Sequence, residues 1–525
     1  MTALLTVSIN HGLSREAYRQ RIALAWANLR LRHTMLMSRT QYDEQARQRK
    51  FIVDIHEGHK EVIDAVLQNI IWVEDYYEEA DGADMHRHAL NSGRIIDPDK
   101  CLSRLHVLPL SEISEGKYEL RFLIVMAHQI SDGLSAYNWF SDFVRILNLS
   151  KTELEKEIEI FCQKEEIKSR LPPAQEDLYP RDKGTKARER WFWAIIRVLR
   201  HLRKTTPRSF ANPLKREKRL EETVACSPVF DKIFDYSDAN KPPLNSGHVG
   251  AKLSLLASKN VIDLCRSIRV SVGAGCFALA GLAMMAIHEE RYPDIPDNER
   301  LPFVASFPLN PRAFFGFNTP ADSCMLAFSE GIVMPFLPSS LPIEGRFKLV
   351  AAQANRELRM YQKRAKSNVT GVPGPFNPHD PTRLLANAYI AAIERSDARL
   401  PTDMKFGVQP QGSLQPPAFE FRATCGVSSI GSTAQWLAPG RYDLSRIGND
   451  EGAQDFVADF REFKQGVRAR DDEFLIGSSS DAEGSIRFGV SFDESAISHE
   501  MAGRWRDVIE NLMEGIPRTT KKAKI

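Results

Sequence analysis

Seven consecutive residues, Ala127-His128-Gln129-Ile130-Ser131-Asp132-Gly133, carry the strongest chemical signal in this chain. They lie where an apolar strand, Arg121 to Met126, hands over to an amphipathic helix, Leu134 to Leu147. A histidine at the end of a buried strand is fixed in space and faces a cleft. Near neutral pH its imidazole both takes and returns a proton. Asp132 lies four residues on, past a turn, so it need not point the same way. Gly133 has no side chain and allows close approach of backbone or ligand. Such a site suits removal of a proton from a hydroxyl or amine that then attacks an activated acyl group.

Other constellations are weaker. Gly426-Val427-Ser428-Ser429-Ile430 misses the Gly-x-Ser-x-Gly nucleophile elbow because position 430 is isoleucine. His56-Glu57-Gly58-His59 and His86-Arg87-His88 do not fit a His-Glu-x-x-His zinc motif, so no metal is expected. Gly273-Ala274-Gly275 fails dinucleotide spacing at Ala278, and helix packing accounts for it better.

The elements that position the histidine follow from pattern. Ala3 to Asn10 reads as a strand, and Ser14 caps a helix running to about Arg32. Phe51 to His56, Leu105 to Leu110 and Tyr118 to Met126 read as strands, and Glu61 to Gln68 as a helix. Lys151 to Arg170 is a charged helical stretch. From Arg181 to Glu222 there are 14 Lys/Arg against 5 Asp/Glu, and Arg188 to Lys204 forms a basic helix with interleaved aromatics. In the second half, Ala251 to Leu256, Phe303 to Leu309, Phe419 to Ser428 and Ser485 to Phe492 read as strands. Ser258 to Arg266, Val272 to His288, Arg346 to Tyr361 and Ser498 to Met513 read as helices, and 367–380 as a loop.

The 525 residues suggest more than one domain. The expected division is an N-terminal domain over 1–205, a crossover over 206–250 and a C-terminal domain over 251–525. A net charge of +2 gives no case for nucleic acid. The apolar run Val270 to Ile287 is short for a membrane span and holds three glycines, so a buried helix is expected. Seven scattered cysteines without a C-x-x-C pair argue for a reducing compartment, and the N-terminus carries no secretory pattern. A cytoplasmic monomer is expected.

His128-x-x-x-Asp132-Gly133 is similar to the signature of the coenzyme A-dependent acyltransferase superfamily. That group includes plant BAHD acyltransferases, chloramphenicol acetyltransferase and peptide synthetase condensation domains. Leu29 to Leu36 resembles its early Arg-His-Pro-x-Leu helix end, with Thr34 in place of proline. Phe307 to Arg312 resembles the mid-chain strand that delivers an arginine, and Gly426 to Gly431 the strand ending near the cleft. Pro173 to Pro180 and Arg188 to Trp193 resemble the linker of fungal trichothecene 15-O-acetyltransferases. The Asp-Phe-Gly-Trp-Gly signature of plant members is absent, and Trp436 to Asp443 occupies that zone.

The resemblance implies two chloramphenicol acetyltransferase-like α/β sandwich domains with mixed sheets and an active-site tunnel between them. It implies His128 as general base, Asp132 turned away to pair with Arg312, and Asn310 and Gly133 as structural support. Donors near Ser428 and Ser429 would meet the substrate. Acetyl-CoA would be a co-substrate with no bound cofactor, and the partner a small hydroxylated acceptor such as a sesquiterpenoid. A condensation-type catalyst using carrier-bound acyl groups, and a repurposed member that binds without transferring, are the alternatives.

Overall fold

The protein is described by a computed structural model. It covers residues 1–178, 208–237, 245–315, 320–367, 423–447 and 455–514, apart from 46–47, 57, 94, 224–225 and 330, plus isolated positions near 190 and at 402.

The chain opens with β1 (Thr2–His11) and α1 (Arg15–Arg32). Ser14 caps α1 by accepting from the Ala17 amide, an arrangement worth about 1 kcal/mol. A hairpin follows, β2 (Ser38–Asp43) and β3 (Gln48–Val53), then α2 (His59–Leu67), β4 (Ile70–Trp72) and α3 (Gly82–Asn91). Next come β5 (Ser103–Val107), β6 (Ser111–Ser114), β7 (Lys117–Met126) and α4 (Gly133–Leu147). The charged stretch forms two helices, α5 (Lys151–Phe161) and α6 (Lys164–Ser169).

The second half carries β8 (Ser246–Lys252), α7 (Leu255–Ser267), α8 (Val272–Arg291), β9 (Phe303–Ser306), β10 (Pro308–Leu309) and β11 (Ala327–Phe328). It continues with β12 (Ile332–Met334), α9 (Ile343–Ser367), β13 (Cys425–Ser432) and β14 (Phe456–Gly466). It ends with β15 (Phe474–Ser480), β16 (Ile486–Asp493) and α10 (His499–Asn511).

Two large mixed sheets organise these elements. The first runs β14-β1-β7-β5-β4, with β6 added beside β7. The second runs β12-β9-β13-β15-β16-β8. β14 lies antiparallel to β1, with Thr2 opposite Gly466 and His11 opposite Phe456. The N-terminal sheet is thus completed by a strand from within 251–525.

Helices pack on both sheets, and buried apolar side chains gather into two large clusters and a smaller third. Trp26, Phe122, Phe140 and Phe143 centre the first, and Phe303, Phe347, Phe474 and Trp505 the second. Among the described residues one helix, α8, is long and apolar enough to cross a membrane, but 78% of its most apolar window is buried in the protein. Its Gly275 sits where a Cβ would lie 2.6 Å from Cys265 Sγ, so packing against α7 requires glycine there.

Two expected elements come out differently. Leu255 and Leu256 begin α7 instead of ending β8, because the Ser254 hydroxyl accepts from the Ala257 amide and caps the helix there. The strand expected over Phe303 to Leu309 divides into β9 and β10, which pair with different partners, β12 and β11. The predicted loop 367–380 overlaps the described residues only at Ser367, the end of α9; most of Arg188–Lys204 and the first part of Phe419–Ser428 also lie outside them.

Candidate active site

β7 is antiparallel to both β1 and β5, so its last residue, Met126, is fixed from two sides. The Ala127 amide still donates to Leu102 (2.9 Å), after which the chain turns, with Ile130 N donating back to Ala127 O (3.2 Å). His128 stands exposed on this turn. Its Nδ1 lies 2.8 Å from the Ser131 carbonyl oxygen. A carbonyl only accepts, so Nδ1 carries the proton and Nε2 presents its lone pair. That tautomer is the one a general base at Nε2 requires.

Asp132 is 3% exposed and points away from that ring's task. It is the N-cap of α4, with Oδ1 accepting from the Ser135 amide (2.9 Å) and the Ser135 hydroxyl accepting from the Asp132 amide (2.8 Å). Its Oδ2 accepts from Arg312 Nη2 (2.7 Å) and from the Met325 amide (3.0 Å). Arg312 is also buried, and its guanidinium donates to Asn310 Oδ1 (3.2 Å) and to the Ser323 carbonyl. The Asn310 side chain accepts from the Arg312 amide as well (3.1 Å), which fixes the turn delivering the arginine.

The second half therefore clasps the histidine turn. Cys324 N donates to Ile130 O (2.9 Å), beside the Met325 contact. From α4, Asn138 donates to Ala321 O (3.0 Å) and Trp139 to Asp322 Oδ1 (2.8 Å). Gly133 meets β13: a Cβ there would lie 3.3 Å from Ile430 Cδ1. The register of β13 against β15 shifts between Ser429 and Gly431, a bulge at Ile430 that interrupts side-chain alternation there. Ser429 Oγ lies 3.4 Å from where a Gly273 Cβ would stand at the start of α8. No hydrogen bond among the described residues joins either serine to His128.

A cavity of about 600 Å³ lies behind the Asp132–Arg312 pair, lined by residues of both halves including His33, Asp142, Arg145, Arg312, Asp322 and Arg441. His128 is not among its lining residues. The expected tunnel is not traced by the described residues, which leave His128 on an exposed turn. One wall is the segment 436–442. Buried Asp459 on β14 accepts from the Gly440, Arg441 and Tyr442 amides at 2.8, 3.0 and 3.2 Å. Arg441 in turn donates to the carbonyls of Ala434, Gln435 and Trp436.

His33 is the charged group here that sequence reasoning noted only as part of a motif. It is 7% exposed, bonded through Nδ1 to Asp322 Oδ1, and its Nε2 lies 3.3 Å from Asp142 Oδ2. Burial opposes its charge, but contacts with Asp142 and Asp322 outweigh it and raise the pKa above the usual imidazole value. Burial likewise opposes charge on Asp142, yet His33 and Arg145 hold its carboxyl at about 2.

Among the described residues no group of three His, Cys, Asp or Glu side chains is arranged to hold a metal. His86 meets His248 edge-on, and His88 bonds to Tyr236 (2.7 Å) with Cys226 Sγ 3.3 Å away. No disulfide joins any of the seven cysteines.

No family model matches the chain, and no curated protein matches it. Solved structures do. TRI3 trichothecene 15-O-acetyltransferase from Fusarium sporotrichioides aligns over 98% of this chain and 90% of its own, at 11% identity and a TM-score of 0.62. The first condensation domain of the calcium-dependent antibiotic synthetase aligns over 100% and 94%, at 10% identity and a TM-score of 0.50. The condensation domain of the monacolin K polyketide synthase MokA aligns over 98% and 91%, at 10% identity and a TM-score of 0.50. The fold is thus the two-domain, mixed α/β fold of chloramphenicol acetyltransferase-like acyltransferases and condensation domains.

Proposed function

We propose that this protein is an O-acyltransferase that moves an acyl group, acetyl in the simplest case, from acyl-CoA to a hydroxyl of a small secondary metabolite. The observation that carries the reading is the His128 ring, anchored at Nδ1 by Ser131 and exposed at the end of β7. In this mechanism Nε2 removes the acceptor hydroxyl proton as the oxygen attacks the thioester carbonyl. A C–O bond forms and a tetrahedral oxyanion develops. The two serines on β13, Ser428 and Ser429, are the proposed donors to that charge, because the strand reaches Gly133 through Ile430. The C–S bond then breaks, and the coenzyme A thiolate takes the proton back from His128. Asp132 and Arg312 do not exchange protons in this scheme; they hold the turn.

A hydroxylated sesquiterpenoid is the proposed acceptor class. It is supported by the resemblance of Pro173–Pro180 to the trichothecene acetyltransferase linker and by the likeness in fold to TRI3 trichothecene 15-O-acetyltransferase. Absence of disulfides among the seven cysteines supports a reducing, cytoplasmic setting. The likeness to condensation domains favours a second reading, in which the donor is carrier-bound. Incubation with free acetyl-CoA and a panel of hydroxylated terpenoids separates the two. An acetylated product in the mass spectrum supports the first, and transfer only from an acyl-carrier protein supports the second.

A further inference from the structure

The clasp on the histidine turn has its own ionisable keystone. His33 sits at the C-cap of α1, buried, and touches carboxylates from two directions. Asp142 belongs to α4, the helix that Asp132 caps. Asp322 belongs to the 320–325 segment, whose Cys324 and Met325 amides donate to Ile130 and Asp132. The Nδ1–Asp322 contact is a hydrogen bond, whereas Nε2 stands 3.3 Å from Asp142 Oδ2 without hydrogen-bond geometry, so Asp142 is held by the imidazolium's charge, which a neutral ring lacks.

We propose that His33 is a positioning residue whose proton ties α4 to the 320–325 segment and so keeps the clasp on His128 closed. The proposal rests on His128 being the general base only for its consequence in catalysis; the clasp itself is independent of that reading.

The surrounding charges favour this use. From α4, Arg145 is engaged with Asp142 (2.6 Å), and Trp139 packs its ring 6.0 Å from that of His33. Arg32 and Arg170, on the same cavity, are paired with Glu157 and Glu166. Arg312 is paired with Asp132, and Arg441 is spent on backbone carbonyls. Each arginine has its own acceptor, which leaves His33 as the cation shared by Asp142 and Asp322. The two carboxylates also raise its pKa. The bridge is accordingly complete below about 6.5, the ordinary imidazole value, and is lost as pH rises through the raised folded value.

Amide hydrogen exchange on the full chain tests this, because Cys324 and Met325 amides report clasp closure directly. Protection of the peptide spanning 320–327, corrected for the intrinsic pH dependence of exchange, is measured between about pH 6 and about pH 9. The wild type is expected to lose protection with rising pH by about tenfold or more, the scale of one hydrogen bond to a charged group. His33→Gln and Asp322→Asn are expected to show low protection that does not vary with pH. His128→Ala is expected to keep the wild-type profile, so failure of the general-base reading leaves this result unchanged. Should His33→Gln not fold, the wild-type profile decides alone. Wild-type protection that is flat with pH, or a folded His33→Gln with the wild-type profile, overturns the proposal.

Discussion

Arg312 Nη2 lies 2.7 Å from Asp132 Oδ2, across 180 residues of sequence, and both side chains are buried. One contact therefore joins the cap of α4 to the second half of the chain. Removing either partner leaves a buried charge alone, a loss of ~3–5 kcal/mol. Asp132→Asn is expected to lower Tm and lose turnover together. Arg312→Gln does the same, and the double variant costs less than the sum of the singles. Lost turnover with an unchanged Tm in Asp132→Asn would point to direct chemistry by the carboxylate instead.

Gly133 tests the approach of β13. A Cβ at this position meets only the far end of Ile430, 3.3 Å away, and a small shift of that side chain relieves it. Gly133→Ala is expected to cost about 1 kcal/mol, and Ile430→Val to restore most of it. Thermal melting of the two single variants and the pair checks this. A valine at 133 has no such relief and lowers Tm further.

Asp459 is the hub of the 440–442 segment. It is 1% exposed and accepts from three amides and from Arg461 Nη1 (2.6 Å). Asp459→Ala removes the shared acceptor of these donors, which are partly open to water, at ~0.5–1.5 kcal/mol each. The expected outcome is a lower Tm and faster proteolysis within 434–447, with β14 still in its sheet. Unchanged proteolysis there contradicts the assignment.

Four histidines destabilise the fold in acid. Burial, the largest cause at each, lowers His86 to about 3 and His106, His248 and His288 to about 4, from an ordinary value of 6.5. The unfolded chain binds these protons first as pH falls, so stability is lost between 6.5 and about 4. Tm is expected to fall steeply across that window. His106→Gln, which keeps a donor for the Leu123 carbonyl, gives a shallower slope. A slope unchanged by that substitution contradicts the sign worked out here.

Local pattern revealed what local chemistry determines. The Ser14 cap, the apolar face of α1, the buried run of β7 and the start of α4 at Gly133 are all written in neighbouring residues. The Asp132–Arg312 contact was legible only through a motif resemblance, since nothing in either local sequence names its partner. β14 went unread: its pairing partner β1 lies more than 440 residues upstream, and strand pairing at such separation leaves no local mark. The same holds for His33 and Asp322, 289 residues apart. Leu255 and Leu256 misled because apolar residues extend a strand pattern, while one serine hydroxyl at 254 starts a helix instead. These two leucines are 60% and 39% exposed, so burial did not decide their conformation.

The most direct measurement is the single-turnover rate of acyl transfer from free acetyl-CoA, for wild type and His128→Ala, with Tm recorded in parallel. Loss of the general base is expected to slow transfer by ~100–10,000-fold, about 3–5 kcal/mol of barrier, at unchanged Tm. The ring is exposed and its Nδ1 contact is local, so the fold does not depend on it. A His128→Ala protein that transfers the acyl group at the wild-type rate contradicts the account.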